Sequence, residues 1–256
     1  MEVPPNGVTV VVAAYFRRDN LRRCLAALTR QTFPPAQIIV ADDSDNAWLA
    51  DEAKPPVQYV QVRRMGQPRC QNIAVLTVWP KIRGDYVILC SSDILAPSFA
   101  VESMVTQHSG TGRSAVTVYG LDQDTTESLD TIDWIGTDCA LFATLPGFWA
   151  WRTPGTMMNV EAHKWATEIL FTGNTKEAWE AFGGPLPRTT LGFMDELGIH
   201  EIETRNRRSS RQIDLAVYHQ WHDSVWVLTG LEKARRAEIT SLTGEPPPSE
   251  DRGGSR

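Results

Sequence analysis

Apolar and polar positions alternate in blocks along the first third of the chain. Val8 to Ala14 (VTVVVAA) is an unbroken apolar run, the pattern of a strand buried on both faces. Asp19 offers a helix N-cap, and Leu21, Cys24, Leu25 and Leu28 then recur at helical spacing, which predicts a helix ending near Gln31, before Pro34 and Pro35. Gln37 to Ala41 predicts a second strand and Val57 to Val62 a third. Arg69 to Val78 has helical periodicity and is closed by Pro80, and Tyr86 to Leu89 is a fourth short strand. Strand and helix alternating through short links imply an α/β domain with a parallel sheet covered on both faces.

The pattern is less regular further on. Ala115 to Tyr119 predicts a strand, while Asp122 to Asp138 is polar and acidic and reads as a loop. Leu145 to Met158 is rich in Trp, Pro and Gly, which suggests an ordered aromatic loop; Trp149, Trp151 and Trp221 could stack on sugar rings, with ordinary packing the default for each. Glu168 to Thr172 reads as a strand, Thr175 to Phe182 as a short helix and Asp195 to Arg207 as helical. Ile213 to Tyr218 is a last strand, and it delivers His219 and His222. The end, GEPPPSEDRGGSR, has the composition of a disordered tail. The expected organisation is one domain over residues 1–230, followed by a helix remnant and tail over 231–256.

Composition narrows the chemistry. The net charge of −6 argues against general attraction to a polyanion, although Arg205, Arg207, Arg208 and Arg211 form a local basic run. Nucleic acid is therefore not the expected partner. The four cysteines show no CxxC pairing, so neither a zinc site nor a disulfide framework is signalled, and a reducing cytoplasm is the expected location. No signal peptide and no transmembrane segment is expected from the apolar pattern.

In open α/β sheets ligands bind beyond the carboxyl ends of the strands. The residues there are Tyr15, Asp42-Asp43, Ser91-Ser92-Asp93 and His219. GxGxxG, GxxxxGK[ST] and GxSxG are all missing, which removes dinucleotide binding, P-loop NTPases and the hydrolase elbow. Carboxylates with histidine suit a hard divalent cation holding a phosphate-bearing ligand. Each of the two histidines reads first as a packed core or interface residue, and the ligand reading favours His219 over His222.

Several blocks carry a family resemblance. VTVVVAAYFRRDNLRRCLAALTRQTFPPAQIIVADDSD resembles the opening of a family 2 glycosyltransferase with the GT-A fold. MGQPRCQNIAV followed by RGDYVILCSSDILAPSF is similar to that family's GxxxARN segment and its GDYxxxLDxDxxxxP segment. FGGPLPRTTLGFMDELG resembles the acceptor-side GGF…ED region, and VYHQWH a terminal metal-binding histidine. The resemblance implies a metal-dependent, inverting transfer of a sugar from a nucleotide-sugar, expected to be a UDP-sugar, to an acceptor hydroxyl. The acceptor class is open among glycan, protein and small molecule. It implies donor contacts from Ala14, Tyr15, Asp42, Asp43, Arg69, Asn72, Ser91 and Ser92. Asp93 and His219 would hold Mn²⁺ or Mg²⁺, and Asp195 or Glu196 would be the general base.

The chain departs from the family pattern in three places. Ser91-Ser92-Asp93 replaces Asp-x-Asp, keeping only the second carboxylate. Gln71 stands where the family has Arg, with Arg69 two residues away, and Met194-Asp195 replaces Glu-Asp. The lost aspartate leaves open a binding domain without turnover, and the basic run leaves open a transferase acting on a nucleic-acid base.

Overall fold

The computed structural model describes residues 6–44, 47, 49–62, 77–107, 114–144, 171–176 and 211–222. In chain order the elements are β1 (Val8–Ala14), α1 (Arg18–Leu28), β2 (Gln37–Asp42), β3 (Gln58–Gln61), β4 (Tyr86–Ser91), β5 (Ile94–Leu95), α2 (Ala100–Thr106), β6 (Ser114–Gly120), α3 (Gln123–Ser128), β7 (Phe171–Thr175) and β8 (Arg211–His219). Among the described residues the strands form one eight-stranded sheet in the order β3-β2-β1-β4-β7-β6-β8-β5.

The first half of that sheet is parallel, with β2 and β4 flanking β1, and β3 beyond β2. Its apolar runs divide between two faces because side chains alternate along a strand. Val10, Val12, Ile38, Val40 and Ile88 join one core with Leu21, Leu25 and Leu28 of α1. Val11, Ile39 and Leu89 join the other with Val62, Val78 and Ile82. Every residue of β1, β2 and β4 is buried, as strands covered on both faces require. The second half is mixed: β7 is antiparallel to both β4 and β6, β8 is parallel to β6, and β5 is antiparallel to β8.

Three elements differ from the sequence reading. The first helix begins at Arg18, so Asp19 lies inside the first turn and does not cap it. A turn at Phe16 (φ 58°), in which Arg17 N–H donates to the Tyr15 carbonyl at 2.8 Å, lets the chain enter the helix at once. Asp19 still suits the positive end of the helix dipole there. The acidic stretch read as a loop contains α3, whose N-cap Asp122 accepts from Thr125 N–H at 2.8 Å. An Asp-x-x-Thr cap on a mainly polar segment carries little apolar periodicity, so the helix was hidden. Thr175 ends β7, opposite Tyr86, and helical backbone starts one residue later, at Lys176; the rest of the helix expected over Thr175–Phe182 lies outside the described residues.

The helix expected over Arg69–Val78 lies outside the described residues except at its end. The segments at 145–158 and 195–207 and the C-terminal tail lie outside them altogether.

Candidate functional site

The parallel strands deliver polar residues to one end of the sheet, where backbone bonds stitch neighbouring strand ends together. Asp43 N–H donates to the Ala14 carbonyl at 2.9 Å, and Ser92 N–H to the Ala13 carbonyl at 3.1 Å. The ends of β2 and β4 are thus fastened to either side of the end of β1. Ala14, Asp42, Asp43, Ser91, Ser92 and Asp93 are all buried there. Tyr15 is half-buried beside them, its ring edge-on to Phe16 with centroids 4.3 Å apart.

Asp93 sits in the two-residue link between β4 and β5. Register explains its neighbours: β5 pairs antiparallel with β8 so that Ile94 opposes His219. Gln220 N–H then donates to the Asp93 carbonyl at 2.9 Å. The chain leaves β8 under further restraint. The Gln220 side chain donates to the Asn20 carbonyl at 3.1 Å and accepts from Arg23 at 3.4 Å. Trp221 N–H donates to the Thr126 hydroxyl of α3 at 2.8 Å. Together these bonds bring both histidines back onto Asp93.

His219 Nε2 lies 3.6 Å from Asp93 Oδ1, and His222 Nε2 lies 3.0 Å from Oδ2. The imidazole centroids are 5.0 Å apart. One ligand atom from each of Asp93, His219 and His222 falls within 4.8 Å of the others, a grouping able to hold a metal ion. Asp93 Oδ1 is buried and accepts no hydrogen bond among the described residues, as suits an oxygen kept for a cation. A carboxylate with two imidazoles is a donor set that first-row divalent ions accept, and three protein ligands leave positions for a ligand's own oxygens.

A fourth group also reaches this carboxylate. Arg17 Nη1 lies 2.6 Å from Asp93 Oδ2. Burial pushes the Asp93 carboxyl up, but the charge of His219, the hydrogen bond and charge of His222, and the charge of Arg17 outweigh it and hold the group well below the usual carboxylate range. A divalent ion held there would add positive field of the same sign.

Asp42 is built differently. It is fully buried, and its Oδ1 accepts from both the backbone N–H (2.8 Å) and the hydroxyl of Ser44. Oδ2 accepts from the Tyr59 hydroxyl at 2.6 Å, tying β2 to β3. Burial and this bond to Asp42 push the Tyr59 hydroxyl well above its ordinary value, so it remains a donor.

The structure therefore brings Ala14, Tyr15, Asp42, Asp43, Ser91, Ser92, Asp93 and His219 to one sheet end. Arg69, Asn72, Asp195 and Glu196 lie outside the described residues. His222 joins the cluster, although its spacing from His219 is not the alternation that places residues on one face of a strand. The strand ends at His219 and the chain turns, which strand periodicity does not show. Arg17 was also missed. A faint signal existed, since Arg17 and Arg18 precede or open a helix whose dipole disfavours cations there. Each is compensated by a distant acid, Arg17 by Asp93 and Arg18 by Glu52 at 2.5 Å.

No helix among the described residues is long and apolar enough to cross a membrane. No curated protein sequence matches the chain significantly. Solved structures do resemble it. A mannosyltransferase from Pyrobaculum calidifontis in complex with GDP-Man and Mn²⁺ superposes with a TM-score of 0.59 at 16% identity, covering 96% of this chain and 67% of the other. A glucosyl-3-phosphoglycerate synthase from Mycobacterium tuberculosis in complex with Mn²⁺, uridine diphosphate and glucosyl-3-phosphoglycerate gives 0.58 at 13% identity, covering 94% and 81%. At such identities the likeness establishes the shared GT-A fold. The model of the family described as "Glycosyl transferase family 2" matches residues 9–159, more than half of the sequence. With the sheet and that match in agreement, the chain is a glycosyltransferase and belongs to glycosyl transferase family 2.

Proposed function

We propose that this glycosyltransferase uses a nucleoside-diphosphate sugar as donor and transfers the sugar with inversion to an acceptor hydroxyl. The observation that carries the reading is the convergence of Asp93, His219 and His222 beside the ends of β1 and β4. Asp93, His219 and His222 would hold the divalent ion. Its chemistry when bound is to offset the negative charge that grows on the departing diphosphate.

The chain's own residues have separate tasks. Gln220 and Thr126 keep the two histidines aimed at Asp93, and Asp42 holds the β2 end in shape through Ser44 and Tyr59. Buried carboxylates at that end favour a base with a ring N–H donor on its pairing edge, which uracil, thymine and guanine have and cytosine, whose donor there is its exocyclic amino group, lacks. A UDP-sugar is the first choice. Two imidazole ligands favour Mn²⁺ over Mg²⁺, which prefers oxygen alone. Asp195 is the proposed base that takes the acceptor's proton, with Glu196 as the second candidate; both assignments rest on the motif. A well-placed base supplies roughly 10²–10⁴-fold.

The test is a panel of UDP-, GDP-, dTDP- and CMP-sugars with Mn²⁺ or Mg²⁺, read by thermal shift and then by donor consumption. A donor that binds only the native state raises the melting temperature by mass action. UDP-sugars should do so most, and more with Mn²⁺ than with Mg²⁺. No shift and no consumption with any nucleotide-sugar would overturn the reading. NMR of the anomeric proton in donor and product decides inversion.

A further inference from the structure

We infer that Arg17 couples the two ligands of the site: its guanidinium and a divalent ion compete for the same carboxylate, that of Asp93, so the ion binds weakly alone and tightly only with a diphosphate. The inference rests on the metal seat of the proposed function and adds to it a residue and an order of events.

Three observations carry it. Arg17 Nη1 is 2.6 Å from Asp93 Oδ2, and His222 Nε2 is 3.0 Å from that same oxygen. Any ion bound by Asp93 and the two histidines therefore lies within a few ångströms of the guanidinium, where like charges repel strongly. Second, the pairing is enclosed. The Arg17 side chain is 18% exposed and that of Asp93 2%, so water does little to screen the conflict. Third, the backbone is bent to make it. Phe16 adopts a left-handed conformation at φ 58°, uncommon for a bulky residue, and this turn sets Arg17 at the mouth of the cluster.

Arg17 must yield part of Asp93 when the ion enters. A guanidinium displaced from a carboxylate finds an equivalent partner in a diphosphate, whose oxygens match its planar fork. The diphosphate thereby removes the competitor and neutralises the repulsion. Metal and diphosphate each raise the other's affinity by the same factor, as linkage requires. Such an arrangement keeps the seat from filling with metal before the donor arrives.

The test measures free Mn²⁺ by electron paramagnetic resonance, with Mn²⁺ alone and with UDP, GDP or inorganic pyrophosphate, after correction for chelation in solution. In the wild-type chain the diphosphate should tighten Mn²⁺ binding by about 10-fold or more. In Arg17→Gln, Mn²⁺ alone should bind about 10-fold more tightly, and the coupling should shrink by a similar factor. Unchanged or weaker binding of Mn²⁺ alone by Arg17→Gln, with the coupling intact, overturns the inference. So does additive binding in the wild type, which decides the matter even if the variant does not fold. Failure of the underlying metal seat looks different: the wild type then binds no Mn²⁺ with any of the three diphosphates.

Discussion

Two buried aspartates stand at the ends of the two parallel strands that flank β1, and the chain treats them in opposite ways. Asp42, at the end of β2, accepts from a backbone amide and two hydroxyls, none of which carries charge. Asp93, just past β4, faces a guanidinium and two imidazoles and has one oxygen that accepts no hydrogen bond among the described residues. Both are equally hidden from water. A carboxylate satisfied by neutral donors braces the structure around it, whereas one surrounded by cationic nitrogens is a seat for positive charge. Burial alone does not tell these roles apart; the partners do.

Removing Asp93 should break the comparison most severely. Asp93→Ala is expected to weaken Mn²⁺ binding by at least about 100-fold, since even outer-shell changes around metals cost 10–100-fold. Donor turnover should fall with it, and a calorimetric titration checks the binding. A variant that binds Mn²⁺ normally would refute the seat. The next largest effect belongs to His222→Ala, with a loss of about 10–100-fold in Mn²⁺ affinity. An unchanged affinity would return His222 to the class of packed histidines.

Asp42→Asn sharpens the contrast from the other side. Mn²⁺ affinity should stay put while stability drops by about 1–3 kcal/mol, because an amide cannot accept from both Ser44 and Tyr59 as a carboxylate does. Urea unfolding measures this, and a loss of metal binding without a loss of stability would reverse the assignment. Tyr59→Phe removes one bond from the same brace and should cost about 1 kcal/mol.

The smallest effect expected is one of pH. The Asp93 carboxyl is held below its ordinary range in the folded chain despite its burial. A depressed carboxyl contributes stability above its unfolded value, near pH 4, and loses that contribution as pH falls toward the folded value. The urea midpoint should therefore decline below about pH 4, and Asp93→Asn should flatten that decline. Equal slopes in the two proteins would show that the field on Asp93 is weaker than the geometry implies.

The legible part of the fold is the part with strong periodicity. Val8–Ala14 and Tyr86–Ser91 are continuous apolar runs because both faces of those strands are covered, and they were readable within a residue or two. The helix in the acidic stretch was not, since α3 exposes most of its surface and its evidence is one capping bond. Likewise the strand-end positions pointed to Asp42, Asp93 and His219, because parallel strands must deliver their last residues to one edge. They said nothing of how Asp42 and Asp93 differ.

That difference marks the boundary between the two levels. Apolar periodicity determined the parallel half of the sheet, and the motifs at its strand ends determined the family, because both are local patterns. Only the tertiary structure decided that His222 turns back onto Asp93, that Arg17 claims the same oxygen, and that Tyr59 closes over Asp42. Those contacts join residues 17 to 129 positions apart in the chain. They depend on strand register, a left-handed turn at Phe16 and a chain held by Gln220 and Thr126, none of which has a local signature.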